Sequence, residues 1–290
     1  MTIPTKKLRS GFEIPSLAVG TWKMGGLKWQ EDPSYDDIGD VETIHRALAL
    51  RVARFDTAEM YASGVAEHIL GKAVSGYDRD KLFVTSKVAP ENLSYEKLIH
   101  SCERSLENLG MEYLDLYLIH MPNHDIPYTD TMRALDNLLD RGVIMNIGIC
   151  NALPETINKY QACSKNRFVL NQVHYNFLFR ELEGCGMMEY AIENDLFIEA
   201  WRPLQYGSLA KRGITILDEM AEKYGCTQAQ ISLAWLLGQE NVITLFKASK
   251  KEHLEENLKS VEIEMSKEDI GRLKHEFPIQ FDKSNAVSLA

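Results

Sequence analysis

Residues 55–71 read Phe-Asp-Thr-Ala-Glu-Met-Tyr-Ala-Ser-Gly-Val-Ala-Glu-His-Ile-Leu-Gly, and this stretch decides the fold. A short apolar run, residues 52–55, precedes the carboxylate of Asp56, and the phenol of Tyr61 follows five residues later. Gly64 interrupts the loop, and apolar residues then recur at helical spacing. A strand, a short loop with two ionisable groups and a helix make up the unit of a βα barrel. Catalytic groups of such barrels lie where strands end and loops begin.

The same alternation of strand and helix continues along the chain. Strands are predicted at residues 17–20, 52–56, 82–88, 114–120, 144–150, 168–173, 196–201 and 242–247. Helical patterns follow 64 and fill about 37–50, 95–109, 131–141, 154–163, 183–194, 216–224 and 227–237. The strand runs are apolar throughout, as parallel strands covered on both faces should be. The sequence therefore predicts an α/β protein, a (β/α)8 TIM barrel forming one domain over residues 1–290. A short N-terminal β-hairpin is predicted at 8–14, and extended loops are predicted at the C-terminal mouth.

The composition narrows the classes of function. The 290 residues are 45% hydrophobic and carry a net charge of −10, which argues against nucleic acid and anionic membranes as partners. Five cysteines without a CxxC pair favour free thiols in a reducing compartment over disulfides or a metal site. No stretch approaches the length of a membrane span. We expect a soluble cytoplasmic protein without a metal.

Ionisable groups stand at or near the ends of three consecutive predicted strands. They are Asp56 and Tyr61 after the second strand, Lys87 on the third and His120 on the fourth. A phenol with a pKa of about 10 is a poor acid, and a neighbouring ammonium group lowers that pKa. A carboxylate beside a buried lysine keeps the lysine charged, and a histidine can orient a carbonyl oxygen. Reduction of a carbonyl group to an alcohol requires a hydride as well as this proton, and a nicotinamide cofactor supplies the hydride.

Each of these residues has a simpler interpretation when taken alone. Asp56 is then a turn or capping residue, Tyr61 a half-buried aromatic, Lys87 a solvated charge and His120 a structural histidine. The four groups together, at one end of neighbouring strands, favour the catalytic interpretation.

Three segments resemble the signatures of the aldo-keto reductase family. Residues 55–61 with Glu67, Leu70 and Gly71 resemble the first, residues 106–110 and 113–120 the second, and residues 247–257 the third. The resemblance implies a (β/α)8 barrel that reduces an aldehyde or ketone to an alcohol, reversibly, with NAD(P)H, usually as a monomer. It implies a catalytic tetrad of Asp56, Tyr61, Lys87 and His120, with Tyr61 as the proton donor. It places Trp22, Tyr61 and His120 at the substrate.

The family also assigns cofactor positions. Asn151 and Gln172 match those that bind the nicotinamide carboxamide, and Trp201 matches an aromatic that stacks on the nicotinamide ring. Cys150 and Arg202 stand where the family usually has serine, and Arg202 could instead meet the pyrophosphate. By resemblance the cofactor-binding residues are Gly20, Thr21, Trp22, Cys150, Asn151, Gln172, Trp201, Arg202, Pro203, Leu204, Lys247, Ala248, Ser249, His253, Glu256 and Asn257.

The third signature departs from the family where it contacts the 2′-phosphate of NADP. Lys247 is retained, but Ala248 replaces a hydroxyl residue and His253 replaces an arginine. A histidine is mostly neutral at pH 7, whereas arginine is always charged. NADP(H) is favoured because Lys247 remains, and NAD(H) is the alternative.

Two other functions remain open at this point. The chain could be an NADP-binding, redox-sensing accessory subunit with little turnover, or a barrel lyase or isomerase that forms a Schiff base on Lys87. Substrate choice in the family depends on the loops, here residues 121–130, 202–213 and 277–290. Trp22, Trp29, Trp201 and Phe281 suggest an aromatic-walled pocket.

Overall fold

The computed structural model describes residues 2–26, 34–247 and 251–290. Ten strands are described in chain order: β1 Thr5–Lys7, β2 Glu13–Pro15, β3 Leu17–Gly20, β4 Arg54–Asp56, β5 Phe83–Val88, β6 Leu116–Ile119, β7 Ile147–Cys150, β8 Phe168–His174, β9 Phe197–Trp201 and β10 Val242–Phe246. The helices are α1 Ile38–Ala49, α2 Val65–Val74, α3 Tyr95–Leu109, α4 Tyr128–Asp140, α5 Pro154–Gln161, α6 Glu181–Gly184, α7 Met187–Glu193, α8 Thr215–Lys223, α9 Gln228–Leu237, α10 Lys251–Leu258 and α11 Lys267–Glu276.

Eight of these strands form a closed barrel in the order β10-β3-β4-β5-β6-β7-β8-β9. The recorded pairings are parallel, for example Val19 with Phe55 and Asp56 with Thr85. Every residue of β3, β4, β6 and β7 is buried. This burial explains why β3, β6 and β7 read as continuous apolar runs, whereas β4 also buries Arg54 and Asp56. The predicted (β/α)8 fold is confirmed.

The N-terminal hairpin is also confirmed, although its first strand lies before the predicted segment. Thr5 pairs with Pro15 and Lys7 with Glu13, and residues 8–12 form the connection. Gly11 adopts a φ of 100° within this turn, a conformation that glycine reaches without a steric penalty.

The described chain divides into two compact units. Unit 1 comprises residues 1–17 and 172–289, and unit 2 comprises residues 18–171 with Ala290. The one-domain prediction stays a prediction.

Unit 2 contains α1 to α5, and its helices α2 and α3 approach closely at Gly71. A Cβ atom built on Gly71 would lie 2.7 Å from the backbone carbon of Leu109. The absence of a side chain at Gly71 therefore sets the separation of these two helices.

Unit 1 is built around α9, on which nine consecutive residues, Gln228 to Leu236, are buried. The helix starts with a capping box, in which Thr227 and Gln230 exchange side-chain and backbone hydrogen bonds. Beyond its other end, the ammonium group of Lys6 donates to the carbonyl oxygens of Leu237, Gln239 and Val242 at 2.7, 2.8 and 2.7 Å. A cation at this position also complements the negative end of the helix dipole.

The sequence patterns do not predict α10 and α11. Within the described residues, no helix is long and apolar enough to cross a membrane. Trp29, Ala248 and Ser249, to which roles are assigned from the sequence, lie outside the described residues.

Candidate active site

Unit 2 brings the four predicted catalytic residues together. Asp56 is the last residue of β4 and Lys87 lies near the end of β5. Tyr61 begins a short 3-10 helix, Tyr61–Gly64, and His120 directly follows β6. The rings of Tyr61 and His120 meet edge to face with centroids 5.6 Å apart.

The Lys87 ammonium group has a hydrogen-bond acceptor for each of its three protons. It donates to Asp56 Oδ1 at 2.5 Å, to the carbonyl oxygen of Thr57 at 2.8 Å and to the Tyr61 hydroxyl at 3.3 Å. Lys87 is fully buried and Asp56 is 2% exposed. A buried pair of this kind is retained only when its remaining groups are also hydrogen-bonded, as they are here.

The loop that carries Tyr61 has an unusual backbone. Ala62 and Ser63 have φ values of 48° and 54°, and Gly64 follows at 93°. Left-handed conformations disfavour residues with a Cβ by about 1–2 kcal/mol each. Strain of this kind persists only where the surroundings hold the backbone, and it concentrates at functional sites.

Glu59 lies in the same loop, three residues before Ala62, and the sequence interpretation does not assign it a role. The Glu59 carboxylate is buried and accepts hydrogen bonds from the Ala89 amide at 2.6 Å, the Asn92 side chain at 3.0 Å and Arg104 at 2.6 Å. Its position inside the first signature, two residues before Tyr61, is the only sequence signal for it.

The environment sets the ionisation of the site. Burial raises the pKa of Tyr61 to about 12, because the opposing effect of the Lys87 charge is smaller. Burial alone would lower the pKa of Lys87, but Asp56 and Tyr61 outweigh it and raise that pKa above its ordinary value. Burial and then the Lys87 charge hold the pKa of His120 well below its usual range. The sequence-based expectation that Lys87 lowers the pKa of Tyr61 is right in direction, but it does not decide the net result.

Two predicted cofactor residues follow β7 closely. Cys150 is its last residue and is buried, and Asn151 adopts a left-handed backbone with a φ of 55°. The Asn151 side chain donates to the carbonyl oxygen of His120 at 3.4 Å. Its backbone carbonyl accepts from the amide of Ala290 at 2.9 Å.

The end of β3 has the character of a ligand-binding position. The Thr21 hydroxyl is fully buried and hydrogen-bonds to no other group in the described residues. Its backbone amide donates to the carbonyl oxygen of Asp56 at 2.9 Å. Because buried polar groups are normally hydrogen-bonded, this hydroxyl fits a bound polar ligand such as a nicotinamide cofactor. Gly20 precedes Thr21 on β3, and Trp22 follows it, half-buried.

Unit 1 carries the other predicted cofactor residues. The Gln172 amide donates to the buried Glu199 carboxylate at 2.8 Å. Trp201 ends β9, and the Arg202 guanidinium lies 5.0 Å from the Trp201 ring centroid and 4.4 Å from that of Tyr206. Pro203 and Leu204 follow in the same turn.

The third signature is described in part. Lys247 directly follows β10 and is half-buried, and His253 is exposed on α10. Glu256 accepts from the Thr227 hydroxyl at 2.6 Å, and Asn257 is buried. The cofactor roles of all these residues stay predictions. No cluster of three His, Cys, Asp or Glu side chains suited to a metal ion occurs in the part of the chain that the structure describes.

Comparisons with known proteins agree with this fold and site. Residues 16–275 match the model of the Aldo/keto reductase family. The chain is 33% identical over 271 residues to glyoxal reductase of Bacillus subtilis, covering 93% of this chain and 91% of the relative. It is 30% identical over 269 residues to methylglyoxal reductase YeaE of Escherichia coli, covering 91% and 92%.

Solved structures agree as well. The thermostable aldo-keto reductase Tm1743, crystallised with the inhibitor epalrestat, superposes with a TM-score of 0.89 at 38% identity, covering 93% of this chain and 98% of that one. An aldo/keto reductase from Klebsiella pneumoniae, solved with NADP and acetate, gives a TM-score of 0.85 at 29% identity, and 99% of each chain is covered. The chain therefore belongs to the aldo/keto reductase family. It is an NAD(P)H-dependent oxidoreductase that reduces a carbonyl group.

Proposed function

We propose that the chain reduces aldehydes, short 2-oxoaldehydes among them, to alcohols with NADPH. The main support is the geometry of Lys87, whose three protons are directed to Asp56, Thr57 and Tyr61. The names of the two bacterial relatives, a glyoxal and a methylglyoxal reductase, support the substrate class. Two aldo-keto reductase structures from Klebsiella pneumoniae, one with NADP and one with NADPH, support the cofactor.

In this proposal Tyr61 is the proton donor. Its oxygen accepts a hydrogen bond from Lys87, so its own proton is the one given to the carbonyl oxygen. The phenolate left behind is stabilised by the adjacent ammonium group, which Asp56 keeps charged. His120, neutral because of its lowered pKa, donates a hydrogen bond that orients the carbonyl.

NADPH, when bound, supplies the hydride. Thr21, Asn151, Gln172 and Trp201 would hold its nicotinamide half, and Lys247 would meet the 2′-phosphate. Within unit 2, the protein keeps Tyr61 protonated and keeps its hydroxyl next to the Lys87 ammonium group.

Replacing Tyr61 by phenylalanine tests the assignment of the acid. Tyr61→Phe should reduce kcat for methylglyoxal at least about 10²-fold, the scale of general acid catalysis, while the Kd of NADPH changes little. NADPH oxidation followed at 340 nm and a fluorescence titration measure the two effects. Tyr77→Phe, at an exposed tyrosine, is the matched control and should leave both unchanged. Full turnover in folded Tyr61→Phe protein would exclude Tyr61 as the donor.

The cofactor preference is tested at His253, which is exposed on α10. A charge-assisted hydrogen bond contributes about 1.5–3 kcal/mol, so His253→Arg should tighten NADPH binding about tenfold or more and leave NADH almost unchanged. His275→Arg, at an exposed position of α11, adds the same charge elsewhere in unit 1 and serves as the control. If His253→Arg shifts both cofactors equally, His253 does not meet the 2′-phosphate.

The same measurements separate the alternatives. An accessory subunit would bind NADPH without steady-state turnover. A Schiff-base lyase would need a neutral, accessible Lys87, whereas the structure shows a buried lysine with a raised pKa and three hydrogen bonds. Borohydride should therefore trap no substrate on Lys87.

A further inference from the structure

Four aromatic rings are stacked in unit 1, and Trp201 is at one end of the stack. The Trp201 and His174 ring centroids are 4.4 Å apart with planes inclined by 12°. His174 in turn stacks on Phe179 at 4.5 Å and 21°, and Phe179 on Phe281 at 5.1 Å and 24°. His174 and Phe179 are buried, whereas Phe281 is 48% exposed. One face of the Trp201 ring is thus covered by an imidazole ring.

Hydrogen bonds fix both nitrogens of His174. Nδ1 lies 2.7 Å from the Ser284 hydroxyl, and Nε2 lies 3.0 Å from Gln205 Oε1. The Ser284 oxygen already accepts from the amides of Ala286 and Val287, so its proton is donated to Nδ1. Nε2 then carries the imidazole proton and donates it to Gln205. Burial lowers the pKa of His174 to about 4, which agrees with a neutral ring that has one donor and one acceptor.

The C-terminal segment that carries Ser284 is itself attached to unit 1. The Phe281 amide donates to the carbonyl oxygen of Leu178 at 2.7 Å, and the Arg180 amide donates to the carbonyl oxygen of Phe281 at 3.1 Å. The Ser284 amide donates to Glu181 at 3.0 Å. Ser284 therefore hydrogen-bonds to the edge of His174 from a backbone that is itself held by hydrogen bonds.

We propose that His174 is a positioning residue, which holds the Trp201 ring at the angle needed to stack on the nicotinamide of the cofactor, and that Ser284 holds His174. This inference rests on the proposed function, in which Trp201 contacts the nicotinamide ring. The Trp201 ring packs on the His174 imidazole, which is itself held at both nitrogens. The Trp201 ring therefore loses little conformational freedom when a ligand stacks on it. Preorganisation of this kind raises affinity without a new contact.

The test compares two ligands that differ by the nicotinamide. NADP+ carries it, whereas 2′-phospho-ADP-ribose has the same adenosine and pyrophosphate groups without it. His174→Ala should weaken NADP+ binding about three- to tenfold, the scale of one aromatic stacking contact, and leave 2′-phospho-ADP-ribose unchanged. Ser284→Ala should act in the same direction with a smaller effect. His174→Phe keeps a ring between Trp201 and Phe179 and should recover most of the affinity.

Ser266→Ala is the matched control for Ser284→Ala. Ser266 caps α11 by accepting from the Asp269 amide, so its loss should lower Tm but change neither ligand's affinity. Equal weakening of both ligands in the His174 and Ser284 variants would make their role merely structural and overturn the proposal. Unchanged NADP+ binding would also overturn it. Wild-type protein that consumes no NADPH with any aldehyde would instead refute the proposed function, and that outcome is seen before any variant is made.

Discussion

At the scale of the residue, burial decides the ionisation of Tyr61 and His120, whereas neighbouring charges decide that of Lys87. Lys87 lies 3.3 Å from the Tyr61 hydroxyl, yet the pKa of Tyr61 is raised to about 12 by burial. The pKa of Lys87 is raised and that of His120 is strongly lowered. None of these three groups therefore changes its protonation between pH 6 and pH 9.

This gives a prediction for the pH dependence of the two reaction directions. Alcohol oxidation releases a proton, so the ratio of kcat/KM for oxidation to that for reduction must rise about tenfold per pH unit. With Tyr61 protonated throughout, kcat/KM for reduction should be flat from pH 6 to pH 9. The value of kcat/KM for oxidation should then rise about tenfold per pH unit over the same range. Initial rates in both directions, in buffers of constant ionic strength, measure this.

The opposite pattern would contradict the assignment. If reduction declines above pH 7 while oxidation is flat, Tyr61 loses its proton near neutrality and the Lys87 charge outweighs burial. A flat reduction profile agrees with a phenol that remains an acid over the whole range.

The positions of the four predicted catalytic residues follow from the sequence, but the residues that support them do not. Asp56, Lys87 and His120 lie at or next to strand ends, and Tyr61 lies in the loop after β4. Strand ends are predicted from apolar runs. Glu59 and His174 have no such marker, because their importance depends on partners 30 or more residues away, such as Ala89 for Glu59 and Ser284 for His174. The net pKa of Tyr61 also cannot be predicted from the sequence, because it depends on how deeply the side chain is buried.

At the scale of the element, Gly71 controls the contact between α2 and α3. An alanine in a helix is ordinarily favoured over glycine by about 1 kcal/mol. At Gly71, however, the added Cβ would meet the Leu109 backbone, and overpacking costs about 1–3 kcal/mol or more. Gly71→Ala should therefore lower the thermal midpoint, measured by circular dichroism.

Gly271 offers the matched control within α11. A Cβ at Gly271 meets no atom within 4 Å, so Gly271→Ala should keep the propensity gain and raise the midpoint. If both substitutions stabilise the protein, α2 and α3 can separate without loss, and Gly71 does not set their distance.

The two unpredicted helices show which element signals are weak. In α11 only Asp269 and Leu273 are buried, so an apolar period was almost absent. Its start was nevertheless marked by Ser266, which caps the helix three residues before Asp269. A capping signal therefore predicts the start of α11, whereas apolar periodicity does not predict the helix.

At the scale of the whole molecule, unit 1 joins residues 1–17 to residues 172–289. Lys6 makes three hydrogen bonds to carbonyl oxygens of residues 237–242. Lys6→Met keeps the side-chain stem but leaves three carbonyl oxygens without their donor, so it should lower the free energy of unfolding by about 1–3 kcal/mol. The burial that lowers the pKa of Lys6 to about 8 reduces this loss, because methionine carries no charge to desolvate. Chemical denaturation measures the change.

Lys7 is the neighbouring control. It pairs with Glu13 at the surface, where both side chains are more than half exposed, and such pairs contribute at most about 1 kcal/mol. Lys7→Met should therefore be nearly neutral. Equal effects of the two substitutions would show that Lys6 acts only as a surface charge.

The attachment of Lys6 also has a consequence for synthesis on the ribosome. The first carbonyl partner of Lys6, that of Leu237, is translated 231 residues after it. At about 5–20 residues per second, the N-terminal strand waits roughly 10–50 s before its partner is translated. During that interval residues 18–171 are translated, while the hairpin remains without its anchor. Residues 5–7 are thus translated well before the carbonyl groups that anchor Lys6.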